Sequence, residues 1–224
     1  MLSELALSAL TDVILASLQA FAAGLLFRPG LRTMSAAGLW AWTMTLIAAV
    51  FLVGAIDHGF FEPVDHPLHP TLMSVNRALV AVVSFLMIAV AAVRFLGPQA
   101  RRVVLALGAI GNAAVVVLVF LSDNFFIVIA GYSTALLLLL VLSIAGLRRG
   151  TGSPAMIAGI VITFGASALP LVGYEGIAGL GIYATYHIAL MPAVVAFYFA
   201  GRALDDDRPR PAGAPVPAPS TTTA

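Results

Sequence analysis

The chain predicts an all-α, polytopic membrane protein: a bundle of seven transmembrane helices with the N-terminus outside and the C-terminus cytoplasmic. Three observations predict it. Hydrophobic residues make up 61% of the 224 and charged residues only 9%, whereas soluble domains hold roughly half and a quarter. A soluble core of this size cannot hide that much apolar surface, so lipid must solvate it. Seven apolar runs near the ~20 residues needed to cross hydrocarbon alternate with short connectors. Finally, arginines crowd every second connector.

The runs are residues 8–27, 36–56, 72–96, 102–121, 125–147, 154–172 and 181–200. They are continuously apolar, without the period-two alternation of a membrane β-barrel. The first follows Met1-Leu2-Ser3-Glu4 with no basic leader, so it reads as an uncleaved helix and not a signal peptide. Breaks between runs carry the usual turn chemistry: Arg28-Pro29-Gly30, Gly97-Pro98, Ser122-Asp123-Asn124 and the Gly/Ser/Pro stretch at 150–154. Pro192 should kink the seventh helix and free the Ile188 carbonyl. Residues 1–203 form the transmembrane domain. The tail at 204–224, acidic and then Pro/Ala/Thr-rich, cannot bury a core and reads as a disordered cytoplasmic extension.

Arg28 and Arg32 lie in the first connector, Arg94, Arg101 and Arg102 around the third, Arg148 and Arg149 in the fifth, and Arg202, Arg208 and Arg210 after the last run. The second, fourth and sixth connectors have none. The excess of positive charge on the cytoplasmic side therefore gives the orientation. An Ala/Arg/Gly-rich composition without lysine points to a bacterial plasma membrane.

Several functions are excluded by composition. Without Cys there are no disulfides, thiolate metal sites or cysteine nucleophiles. All 11 basic residues are arginine, so no lysine exists to carry a retinal Schiff base. No basic patch interleaved with aromatics points to nucleic acid.

Orientation converts position into depth, and the polar residues gather at the outer side. Asp12 lies about one turn inside the first run, Asp57 and His58 end the second, Asn76 and Arg77 open the third, and Tyr183, Tyr186 and His187 lie early in the seventh. The inner half shows no comparable set, with Asn112 as its main polar outlier. An ionised group in lipid costs a few kcal/mol, so these residues should face one another or a wet cavity. Ser8, Asp12 and Gln19 share one face of the first helix, and Tyr183, His187 and Met191 one face of the seventh. Asp12, Asp57 and Asp123 are the carboxylates nearest in depth to Arg77, the only arginine on the outer side, which should pair with Asp12 or Asp57. The Pro-rich stretch 57–70 reads as an irregular outer loop in which His66 and His69 are solvated.

The histidine closing the second run (Gly54-Ala55-Ile56-Asp57-His58-Gly59-Phe60) and the one early in the seventh (Tyr186-His187-Ile188-Ala189-Leu190-Met191) resemble the seven-span superfamily of alkaline ceramidases and progestin and adiponectin receptors. That resemblance implies a zinc ion held by His58 and His187 that activates water for amide hydrolysis. The departures are Met191 at the family's second histidine of the seventh helix, Gly54 at its serine, and Asn76-Arg77 at its aspartate. Three functions follow as expectations. In a metal-dependent hydrolase of lipid amides or esters, Asp57 would orient water and Arg77 or Tyr186 would steady the oxyanion. In a non-catalytic binding or sensing protein, Asp12, Asn76, Tyr183 and Arg77 would hold a lipid headgroup or small ligand. A transporter would need polar groups through the whole depth.

Overall fold

The structure is a computed structural model and describes residues 3–177 and 179–204. Those residues form seven α-helices and no strand: α1 (Glu4–Leu26), α2 (Ala36–Ile56), α3 (His69–Phe95), α4 (Pro98–Leu121), α5 (Phe126–Leu147), α6 (Pro154–Leu171) and α7 (Ile182–Leu204). Six are long and apolar enough to cross a membrane. The exception, α6, is the shortest at 18 residues, about 27 Å by its rise per residue. The architecture is that of a helical membrane protein. The tail at 205–224 lies outside the described residues.

Helix starts follow local chemistry. The Ser3, Ser35 and Ser153 hydroxyls accept from the backbone N–H groups of Ala6, Gly38 and Met156, satisfying donors that a first turn leaves open. Pro98 and Pro154 occupy the first position of α4 and α6, where a missing N–H costs nothing.

The stretch after α2 is not the irregular loop that its prolines suggest. Asp57–Phe61 continue α2 as a π-helical turn, Glu62–Val64 form a 3-10 turn, and α3 begins at His69, three residues before the expected 72. Pro70 falls within the opening turn of α3, which explains why it starts the helix rather than breaking it. α7 likewise runs through Pro192.

α1 packs between α2 and α7, α7 against α6, α6 against α5, α5 against α3, and α3 against α2. Six helices thus close a ring, while α4 leans on the outside of α3 with Val119 its sole buried residue. Trp40 of α2 anchors the ring. Its Nε1–H donates to the Phe197 carbonyl of α7 at 2.9 Å, and the two rings meet edge-on at 5.3 Å. Gly201 allows this approach, since a Cβ there would stand 2.7 Å from both Leu26 and Trp40. We expect Trp40→Ala to lower unfolding stability in detergent by about 3–5 kcal/mol, the cost of a large core truncation. A loss below about 1 kcal/mol would contradict the anchoring role.

Candidate functional site

The end of the bundle that carries the histidines is built from the starts of α1, α3 and α7 and the close of α2. On α1, Ser8, Thr11 and Asp12 are all buried, and their spacing places them on one face. His187, also buried, comes across from α7. Its Nε2 lies 3.2 Å from Asp12 Oδ1 and its Nδ1 3.0 Å from Thr11 Oγ1. The Thr11 hydroxyl is directed to the carbonyls of Leu7 and Ser8, at 3.0 and 2.9 Å. This assigns Nδ1–H as the donor to Thr11, and the contact between Nε2 and Oδ1 then carries one further proton. Phe51 and Tyr186 close around the ring, with centroids at 5.9 and 5.2 Å.

Gly54 of α2 stands opposite. A Cβ there would meet Asp12 Oδ2 at 3.3 Å and Asn76 Nδ2 at 3.8 Å. The residue without a side chain therefore lets a carboxylate from α1 and an amide from α3 converge on α2. Around them, Ser8 Oγ and Asn76 Oδ1 are buried with no hydrogen-bond partner among the described residues.

The π-helical turn adds a second cluster. Its wide hydrogen bond, from the Glu62 N–H to the Asp57 carbonyl, brings positions 57, 58 and 62 to one side. Asp57, His58 and Glu62 can each offer a ligand atom within 4.8 Å of the others. His58 Nδ1 bonds Glu62 Oε2 at 2.5 Å, and His69 Nδ1 lies 2.9 Å from both oxygens of the buried Asp57. π-turns of this kind are frequent at functional sites. The two clusters adjoin: Gly59 packs on Ala9 of α1, and His58 lies within electrostatic range of His187.

Arg77 does not pair with Asp12 or Asp57, because His187 and His69 have taken those carboxylates. Its Nη1 instead lies 3.8 Å from Asp123 Oδ1, and its guanidinium sits 5.7 Å over the Phe125 ring. Asn76 and Arg77 are adjacent on α3 and so point apart, Asn76 toward α2 and Arg77 toward the start of α5. Asp123 is fully exposed, which makes this a loose contact. Tyr183 is 51% exposed and stands away from the buried His187, although one helical turn separates them. Tyr186 lies beside His187 and faces Ser167 of α6 and Asp12. Asp57, Arg77 and Tyr186 therefore have three separate sets of partners. His66 stays in the turn, its Nδ1 accepting from the Leu68 N–H.

His58 and His187 do not share a ready-made zinc site. Both ring nitrogens of His187 have protein partners, and a metal bond would displace one of them. Sequence reasoning passed over Thr11 and Glu62 and left His69 in solvent. The hydroxyl one residue before Asp12, and the i, i+4 spacing of His58 and Glu62, were the available signals. It also passed over Glu4, whose Oε1 accepts from the Ile182 N–H at 3.2 Å. An acid suits that helix start, and it fastens α1 to α7 above the site. The opposite end holds a cavity of about 290 Å³ beside Arg94, Ser143, Thr151 and Ser153. There Arg94 donates twice to the Thr151 carbonyl, so that end is less bare of polar groups than its sequence suggested.

Asp12→Ala and His187→Ala should each destabilise the protein, and in a double-mutant cycle the two losses should couple by more than about 1.5 kcal/mol. Neutral interhelical hydrogen bonds average only about 0.6 kcal/mol, so a coupling at or below that value would refute a charge-assisted pair. Asp123→Ala, by contrast, should leave the unfolding midpoint unchanged.

No curated protein and no solved structure matches the chain. A family model does match, over residues 7–206. The chain belongs to that family, DUF6962, a family of unknown function.

Proposed function

We propose that this is a seven-span protein of the bacterial plasma membrane, N-terminus outside, that binds a small polar ligand or lipid headgroup in an outward-facing pocket at its histidine end. It is a binding or sensing protein rather than an enzyme. One observation carries this reading: three histidines, His58, His69 and His187, each have a ring nitrogen within 3.2 Å of a carboxylate oxygen at the same end of the bundle. Ionisable groups in membrane spans are functional by default, and the unpartnered Ser8 and Asn76 oxygens supply further groups for a ligand. The short α6 fits a seventh crossing if the bilayer thins locally around it. Arginine distribution supports the orientation.

A cysteine-free chain suits accessibility mapping. In cells, Ser3→Cys should react with a membrane-impermeant maleimide, while Gly150→Cys should react only after permeabilisation. The reverse pattern would overturn the orientation. Ser8→Cys should react with a small charged thiol reagent applied from outside, and Leu15→Cys in the core should not. An inert Ser8→Cys would mean that the polar groups merely fasten helices together.

A ceramidase-like, metal-dependent hydrolase of lipid amides or esters is the second reading, favoured by the Asp57, His58 and Glu62 group. A zinc ion held there supplies an activated water, and the pairing of a ligating histidine with a carboxylate is usual around such ions. Stoichiometric zinc in purified protein, lost in His58→Ala, would favour this reading over the first. Metal-free protein of intact fold would dismiss it.

A further inference from the structure

Four parts of the chain line the cavity of about 290 Å³ at the arginine end. Arg94 comes from the last turn of α3, Ser143 from α5, Thr151 and Ser153 from the connector into α6, and Ala203 and Leu204 from the end of α7. Arg94 Nε and Nη2 donate to the Thr151 carbonyl at 3.0 and 2.8 Å. Those bonds hold the guanidinium against the connector, but a carbonyl is a neutral acceptor and does not offset the positive charge. Arg148 and Arg149, just before the lining residue Gly150, add to that charge. Such a cavity suits a carboxylate, which a guanidinium binds through its planar fork.

The chain carries its own candidate. Every acidic residue before Leu204 lies toward the histidine end, in the first half of α1 or in the second, fourth and sixth connectors. The remaining acids are consecutive, Asp205-Asp206-Asp207, and they follow Leu204 directly. Leu204 already lines the cavity, and three residues span at most about 11 Å, so these carboxylates begin at its mouth. We infer that the segment 205–207 is the occupant of this cavity. One carboxylate of the triplet seats on the Arg94 guanidinium and latches the end of α7 to α3 and to the connector before α6. Tethering favours this occupant over a free anion, because a short link holds the carboxylate at an effective concentration in the millimolar range. The cavity is then closed by the chain itself and opens when the triplet is drawn away.

This latch is independent of the pocket at the histidine end and of the orientation in the membrane. The absence of cysteine allows a direct test on the full chain in phosphatidylglycerol nanodiscs, where both ends are accessible. Ser143 is 1% exposed and lines the cavity, so the rate at which Ser143→Cys reacts with N-ethylmaleimide reports whether the cavity is filled. Asp205→Asn, Asp206→Asn and Asp207→Asn together should speed that reaction at least tenfold. High salt should speed it with the native triplet and leave it unchanged with the Asn triplet, because screening acts on the charged pair alone. Met34→Cys, at the same end and 78% exposed, should react equally fast in both backgrounds. As a second measurement, which serves if Ser143→Cys fails to fold, Thr151→Cys and Asp206→Cys in one chain should form a disulfide on mild oxidation. An unchanged rate with the Asn triplet, or the absence of that cross-link, would overturn the proposal. Protection that survives the Asn triplet but disappears in phosphatidylcholine nanodiscs would also overturn it, and would give the cavity to an anionic lipid headgroup.

Discussion

A carboxylate buried among apolar helices must be partnered, and the histidine end is organised around that constraint. Asp12 sits inside α1 where hydrocarbon would surround it, and an unpaired charge there would cost several kcal/mol. His187 meets the need from the helix farthest away in sequence, so the ring closes where the charge lies. Thr11 fixes the imidazole from behind. Glu4 holds the start of α7 in place above, and Gly54 leaves space for the carboxylate below. Each of these is a local choice that makes sense only once Asp12 has been buried.

The π-helical turn solves a related problem by a different device. A regular α-helix would carry Asp57 and His58 past the end of α2 on divergent directions. Widening one turn keeps Asp57 buried against His69 while His58 swings to Glu62. The end therefore holds two kinds of site side by side. One is buried and centres on Asp12, Thr11 and His187. The other is partly exposed and carries the histidine and carboxylate donors that a softer divalent ion prefers. The competing functional readings correspond to these two places, which is why accessibility mapping and metal analysis separate them.

The two ends are stabilised by different means. At the arginine end, Trp40, Phe197, Leu26 and Gly201 pack closely, and Arg94 donates to the Thr151 carbonyl. At the histidine end, polar pairs replace some of that packing. Polar pairing specifies which helices meet, but it leaves room for water and ions that close packing would exclude.

Sequence alone determined the all-helical class, the seven apolar segments, the segregation of arginine from histidine, and the candidacy of Asp12 and His187. These follow from hydrophobicity, length and helical periodicity, which are properties of one segment at a time. Partner choice was not legible in the same way. Depth placed Arg77 level with Asp12 and Asp57, yet the rotation of α3 turns it to Asp123 and gives Asn76 the inward direction. α5 packs directly on α3, and α4 lies outside the ring. The prolines of 57–70 hid a helical turn because Pro70 falls at a helix start, where it is tolerated. Only tertiary packing decided these points, because periodicity gives a residue its face and depth but not which neighbouring helix that face will meet.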